Sequence, residues 1–268
     1  MNDQVPPRLY KYQGYSARTL TALKMRAIWF GSPSGFNDPF DCAVPLRFGP
    51  VTARDCQRLV TESSDPEWAA LIHDRQLFSA EGLPTEAMRT QVEGVARKTV
   101  EDISEDTYLK RGVACFSETC DNLLLWSHYG AGHRGLCLEF DTSSPFLNRL
   151  HRVQYSDEVP EIDLVEMTLG RTQKMISLLL TKATCWSYER EWRAIHSEAR
   201  TVSFYGVDAL TAVYLGAELR AAEKDVVAHL LHGTPTKLFE MRRSTSSFRL
   251  ESRLVEYTPY RHGASPNV

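Results

Sequence analysis

Two glutamates separated by one residue stand in a segment dense with charged and aromatic side chains. The pattern of Trp186–His196 predicts a β-strand, in which alternate side chains share a face, so Glu189, Glu191 and Arg193 are expected on one side. Two carboxylates about 7 Å apart on a half-buried strand repel each other unless a cation lies nearby. The spacing is therefore typical either of a reactive site or of a solvated run of charges partnered by Arg190 and Arg193.

A second cluster, Trp126-Ser127-His128-Tyr129, combines two aromatic rings with a hydroxyl and an imidazole. Such a set can stack on a planar ligand and hydrogen-bond to its edge. The alternative is the end of an ordinary core helix that contains one histidine with satisfied hydrogen bonds. The sequence leaves both interpretations open.

Other chemical motifs are weak. Gly130 to Gly135 read G-x-G-x-x-G, which holds a dinucleotide when it follows a strand and opens a helix. Here the glycines follow a predicted helix and precede a predicted strand, so we interpret them as a tight connection. Cys115 lies in an apolar strand, which favours an inert thiol over a nucleophile. The six cysteines contain no C-x-x-C pair, which predicts reduced thiols and no bound metal.

The elements that must position these residues are strands mixed irregularly with helices, which predicts the α+β class. Apolar and alternating runs predict strands at 9–12, 27–30, 112–117, 136–140, 153–155, 186–196, 212–215, 237–242 and 248–254. Helical spacing predicts helices at 19–25, 122–129, 164–182 and 219–231. Turn-forming residues and two phenylalanines predict a packed loop at 32–41.

Composition is that of an ordinary globular protein: 268 residues, 43% hydrophobic and 24% charged. We expect one domain over residues 1–268, with an acidic helical insert at 51–110 whose N-caps are Thr52, Asp65 and Thr85. No apolar run approaches the roughly 18 residues that span a bilayer, and the first residues do not resemble a secretory signal. These features predict a cytoplasmic protein with no membrane partner.

The motifs together resemble a large bacterial family known only as a domain of unknown function. The resemblance spans nearly the whole chain apart from the insert. The matching residues are Leu9-Tyr10-Lys11-Tyr12, Trp29 to Pro33, Phe36 to Asp41, Cys115-Phe116-Ser117, Trp126 to Tyr129, His133, Gly135, Lys182, Trp186 and Tyr188 to Arg193.

The order of segments also resembles that of ADP-ribosyltransferases, particularly the DNA-modifying toxins of toxin–antitoxin pairs. This resemblance implies a mixed or antiparallel sheet core of that fold, NAD as the substrate, and Glu191 and Glu189 as the catalytic E-x-E pair. It implies a toxin or phage-defence effector that modifies a nucleic acid or a protein, with an antitoxin or defence partner protein. The ligand-binding residues that it implies are Lys11, Tyr12, Asn37, Asp38, Ser117, Trp126, His128, Tyr129 and Arg193.

Two further functions remain open. The first strand carries Lys11 where those enzymes usually have Arg or His, which favours a nucleotide-binding or sensor module without catalysis. Glu189, Glu191 and Asp41 around Mg²⁺ would instead suit a nuclease. In that case the arginine-rich segment 237–261 would follow the phosphate backbone.

Overall fold

The computed structural model describes residues 4–42, 47–63, 79, 84–103, 110–170 and 173–257. The β-strands within them are β1 (Arg8–Gln13), β2 (Ala27–Phe30), β3 (Arg47–Phe48), β4 (Gly112–Ser117), β5 (Leu136–Asp141), β6 (Leu150–Arg152), β7 (Gln154–Ser156), β8 (Glu161–Ile162), β9 (Thr181–Ala183), β10 (Glu191–His196), β11 (Thr201–Phe204), β12 (Leu210–Leu215), β13 (Lys237–Arg243) and β14 (Leu250–Leu254). The α-helices are α1 (Ala17–Met25), α2 (Ala53–Glu62), α3 (Glu86–Ile103), α4 (Leu123–His128), α5 (Leu164–Thr168), α6 (Gln173–Leu179) and α7 (Ala221–Leu231).

One eight-stranded sheet organises the described chain, in the order β14-β13-β12-β5-β1-β4-β10-β6. Its neighbouring strands are antiparallel except β12 and β13, which are parallel. Two-stranded pairs form between β2 and β11, β3 and β8, and β7 and β9. The predicted α+β class is confirmed.

The two faces of the sheet are buried by different helices because side chains alternate along each strand. Ala114 and Phe116 of β4 belong to a core that also contains residues of α1 and α7. Val113 points the other way, into a second core with α2, α3, α5 and α6. On that same second face, farther along the sheet, Trp126 of α4 packs over β5, β12 and β13.

Local signals explain where several elements begin. Thr52 and Asp55 form a reciprocal capping box at the start of α2, as predicted for Thr52. The Thr85 hydroxyl accepts from the backbone of Met88 in the first turn of α3, whereas the predicted cap at Asp65 lies outside the described residues. Asn122 caps α4 by accepting from two backbone amides.

Two predicted elements are wrong in their extent. The predicted strand 186–196 begins as a 3₁₀ helix, Thr184–Glu189, and Arg190 then adopts a left-handed conformation before β10. The predicted helix 164–182 is divided, because α5 ends at Thr168 and Gly170 follows at a φ of 75°. Lys182 lies in β9, after α6 has ended. Among the described helices, none has both the length and the apolar character needed to cross a bilayer.

Candidate functional site

A split in the middle of the sheet opens into a large cavity. Strand β1 pairs with β5 over six residues and β4 pairs with β10 over six, but β1 meets β4 only at the pair Tyr10–Ser117. Beyond that pair the Lys11 ammonium crosses the gap and donates to the carbonyl oxygen of Cys115 at 3.1 Å. The gap leads into a cavity of about 870 Å³, a size typical of small-molecule sites.

Elements from both faces of the sheet line this cavity. Strand β1, helix α1 and strand β2 form one wall, and the loop after β2 and the end of α4 form the rim. The floor is formed by β4 and the start of β10 together with Asp41, Lys182 and Glu189. The lining residues that matter below are Lys11, Tyr12, Arg18, Ala22, Met25, Trp29, Phe36, Asn37, Asp41, Cys115, Ser117, His128, Tyr129, Lys182, Glu189, Glu191 and Val202.

Lys182 stands at the centre of the floor, where it contacts three carboxylates. Its ammonium nitrogen lies 2.6 Å from Glu189 Oε2, 3.1 Å from Glu191 Oε2 and 3.1 Å from Asp41 Oδ2. All four side chains are at most 4% exposed. The Tyr129 hydroxyl donates to the other oxygen of Glu189 at 2.8 Å, which leaves that carboxylate held from both sides.

Arg193 fixes Glu191 and Asp41 through its planar guanidinium. Its Nε and Nη2 donate to the two oxygens of Glu191 at 2.7 and 2.9 Å, a bidentate geometry. Nη2 also donates to Asp41 at 2.7 Å, and Nη1 donates to the carbonyl oxygen of Leu179 at 2.6 Å and to Cys42 Sγ at 2.8 Å. Because Arg193 is fully buried, these contacts use its hydrogen-bonding capacity inside the protein.

The two glutamates have opposite pKa shifts, although both are buried. Burial alone would raise the pKa of Glu191, but the Arg193 guanidinium and the Lys182 ammonium lower it to about 2. Burial raises the pKa of Glu189 above its usual value, and the contacts with Lys182 and Tyr129 only partly oppose this effect. Glu191 is thus a permanent anion, whereas Glu189 is the carboxylate that more readily takes up a proton.

The floor has a net negative charge. Asp41, Glu189 and Glu191 contribute three negative charges, and Lys182 and Arg193 contribute two positive ones. The three carboxylates raise the pKa of Lys182 against the opposing effect of burial, so this lysine stays charged. The cluster therefore carries one negative charge that its own two cations do not balance.

Eight of the eleven site residues predicted from the sequence line this cavity. They are Lys11, Tyr12, Asn37, Ser117, His128, Tyr129, Glu189 and Glu191. The hypothesis of a solvated run of charges is wrong, because both glutamates are 3% exposed and Arg190 does not join their ion pairs. Their roles in binding or catalysis stay predictions.

Three predicted site residues lie elsewhere. Trp126 is fully buried, donates its indole N–H to the carbonyl oxygen of Cys120 at 2.7 Å and packs edge-on against Tyr12, so it is a core residue. Asp38 closes a turn by accepting from the backbone of Phe40. Arg193 is fully buried beneath the floor, where its donors contact Glu191, Asp41 and Leu179, so it does not line the cavity as a ligand-binding residue would.

The sequence interpretation missed four residues of the cavity's chemistry. Lys182 was matched only as part of the family pattern, although a lysine after an apolar run and shortly before two glutamates is a signal for a buried ion pair. Asp41 is predicted only as part of the family pattern and as a magnesium ligand. Trp29 belongs only to the family pattern, and Arg18, whose guanidinium carbon lies 4.0 Å from the centroid of the Trp29 ring, has no local signature.

The glycine-rich run is a tight connection, as predicted. It joins α4 to β5, and a Cβ added at Gly135 would lie 2.2 Å from the carbonyl oxygen of Gln13. A Cβ at Gly216 would be equally close to the carbonyl oxygen of His133. The glycines therefore permit close backbone packing beside β1 and do not border the cavity.

Fold and site together define an α+β protein whose split sheet holds a cavity with an ionised, carboxylate-rich floor. The family described as "Protein of unknown function (DUF2971)" matches residues 125–194, about a quarter of the chain. This segment carries Tyr129 of the rim and Lys182, Glu189, Glu191 and Arg193 of the floor, and the predicted resemblance to a family of unknown function is confirmed over it. No curated protein and no solved structure matches the chain. The resemblance to ADP-ribosyltransferases has no support in these findings and stays a prediction.

Proposed function

We propose that the protein consumes NAD, by ADP-ribosyl transfer or by hydrolysis, with the reaction centred on Glu189 and Glu191. The observation that supports this most is the pair of buried carboxylates at the cavity floor with opposite pKa shifts. In many active sites, two titratable groups take different acid–base roles because their surroundings shift their pKa values apart.

Glu191 supplies the fixed negative charge. Breaking the bond between nicotinamide and ribose leaves the electron pair on the departing nicotinamide and positive charge on the ribose. A carboxylate that Arg193 and Lys182 hold in one orientation stabilises that charge without reorganising during the reaction.

Glu189 takes the proton of the attacking group. A hydroxyl of the acceptor, or water, forms the new bond to the ribose carbon and gives its proton to the Glu189 carboxylate. Lys182 keeps that carboxylate ionised beforehand, and the Tyr129 hydroxyl orients it. Burial raises the pKa of Glu189 and so favours the protonated form that this carboxylate has after it accepts the proton. A raised pKa of this kind suits a general base.

The test is nicotinamide release from NAD by the purified protein, followed for the wild type and for E191Q and E189Q. Loss of the fixed anion or of the base should each lower kcat about a hundredfold or more. E240Q is the matched control, because Glu240 is also ion-paired, with Lys224 and Arg242, but does not line the cavity. Folded wild-type protein that releases no nicotinamide with water, nucleic acid or protein acceptors would refute the proposal.

A nucleotide-binding or sensor module is the second candidate. The floor carboxylates already have internal cation partners, which also suits a rigid binding site without turnover. Calorimetric binding of NAD or ADP-ribose with no nicotinamide release would favour this candidate.

The geometry disfavours the magnesium-dependent nuclease. The Lys182 ammonium already occupies the point between Asp41, Glu189 and Glu191 at which a divalent cation would have to bind. In the arginine-rich segment, Arg242 and Arg243 pair with Glu240 and Glu218. The predicted phosphate contact at residue 261 lies outside the described residues.

The remaining parts of the proposal rest on the resemblance to the toxins. They are a cytoplasmic toxin or phage-defence effector, a nucleic-acid or protein acceptor, and an antitoxin or defence partner protein. Transfer of labelled ADP-ribose in a cell lysate, followed by nuclease or protease digestion of the product, identifies the acceptor class.

A further inference from the structure

Lys11 and Arg18 on the wall of the cavity differ from Lys182 and Arg193 on its floor, because neither wall residue forms an ion pair with a described carboxylate. Lys182 and Arg193 each contact at least two carboxylates. In the described part of the chain, Lys11 donates to the backbone carbonyl of Cys115, burial lowers its pKa, and the charge of Glu191 partly opposes that shift. Arg18 instead stacks on an aromatic ring. Arg18 is therefore the wall cation whose charge no described carboxylate balances.

Arg18 is held in place by Trp29. Its guanidinium carbon lies 4.0 Å from the centroid of the Trp29 ring, and both residues line the cavity. Stacking on an indole limits the conformations of an otherwise exposed arginine side chain without using its N–H donors. No described residue accepts a hydrogen bond from these donors, so they can bind an anionic ligand, for which a guanidinium has suitable fork geometry.

The surroundings of this pair suit a planar apolar group next to the anion. Ala22 and Met25 of α1 line the cavity one and two turns beyond Arg18, and Val202 of β11 lines it as well. A purine base could cover this apolar surface while a phosphate meets the Arg18 guanidinium. The negatively charged floor, by contrast, would repel phosphate.

We propose that the stacked pair Arg18–Trp29 forms a phosphate subsite that binds the adenosine diphosphate part of the ligand. This inference rests on the proposed function in taking NAD as that ligand. It assigns the two ends of the dinucleotide: the cationic nicotinamide ring faces the anionic floor, and the pyrophosphate lies at the wall. Arg18 thus selects phosphorylated nucleotides over nucleosides and takes no part in bond breaking.

The test measures binding of ADP-ribose and of adenosine by calorimetry, for the wild type, R18A, R18K and K24A. Lys24 is an exposed base on the same helix that does not line the cavity, which makes K24A the matched control. We expect R18A to weaken ADP-ribose binding about tenfold or more, the effect of losing a charge-assisted hydrogen bond. R18K should recover part of that loss, K24A should match the wild type, and adenosine should bind all four proteins equally.

The outcomes separate this inference from the proposed function. If R18A binds ADP-ribose as tightly as the wild type, or if the wild type does not bind ADP-ribose, the phosphate subsite is refuted. If ADP-ribose binding depends on Arg18 but no nicotinamide is released, the subsite stands and the NAD-consuming activity fails. If NAD is turned over, R18A should raise KM with little change in kcat; an unchanged KM would overturn the subsite alone.

Discussion

Replacing Lys182 with methionine removes the cation at the centre of three carboxylates and keeps most of the side-chain volume. The floor then holds three negative charges and only the guanidinium of Arg193 to balance them, so its net charge changes from −1 to −2. Removing one partner of a buried ion pair costs about 3–5 kcal/mol, because the remaining charge stays desolvated. We expect the free energy of unfolding at about pH 7.5 to fall by that amount.

The loss in K182M should shrink on acidification. Burial already raises the folded-state pKa of Glu189, and without the opposing ammonium it must rise further. A carboxyl group whose folded pKa exceeds its unfolded value binds more protons in the folded state, so stability falls as pH rises between the two values. In the wild type Glu191 has a pKa of about 2, so its stabilising effect is lost only below the unfolded value near 4.3. Between about pH 5 and 7.5 the difference between K182M and the wild type therefore reports on the carboxylates that lose the ammonium, of which Glu189 already has the raised pKa.

Urea titrations of K182M and the wild type at about pH 5 and pH 7.5 measure both effects. K224M is the control, because Lys224 also pairs with a glutamate but is 25% exposed, and its loss should cost about 0–1 kcal/mol at either pH. A cost for K182M below about 1 kcal/mol, equal at both pH values, would show that Lys182 does not hold the floor carboxylates together.

The other predictions concern one site residue and one backbone contact. Y129F removes the hydroxyl that donates to Glu189 at 2.8 Å, so the pKa of Glu189 should rise further and the acid limb of the pH profile of nicotinamide release should move to higher pH. An unmoved limb would exclude Glu189 as the titrating base. G135A places a Cβ about 2.2 Å from the carbonyl oxygen of Gln13 and should cost at least about 1–3 kcal/mol. G206A, whose Cβ meets nothing within 4 Å, is the control in the same thermal melts, and equal melting temperatures for the two variants would contradict the contact.

Most individual elements were predictable because their signals are local. Apolar runs predict β4 and β5, the spacing of Leu20 and Leu23 predicts α1, and an amphipathic pattern predicts α7. The two errors occur where a left-handed residue interrupts a continuous pattern, at Arg190 and at Gly170. Backbone conformation there depends on packing that side-chain periodicity does not report.

The candidate site was predictable only in part. The E-x-E spacing identified Glu189 and Glu191, because two carboxylates so close together need an explanation from elsewhere in the chain. The cation that provides it is Lys182, and its contact with Asp41 joins residues that are 141 positions apart. Trp126 was assigned to the ligand because an aromatic cluster has the same composition in a core as in a binding site.

The sequence by itself determined the α+β class, the family resemblance and the presence of paired carboxylates, since each depends on neighbouring residues or on motifs. Only the tertiary structure decided that β1 separates from β4 after a single residue pair. It also decided that the carboxylates face the resulting cavity. Strand pairing and burial are set by contacts between distant segments, and those contacts place Lys182 among three acids and give the two glutamates opposite pKa shifts.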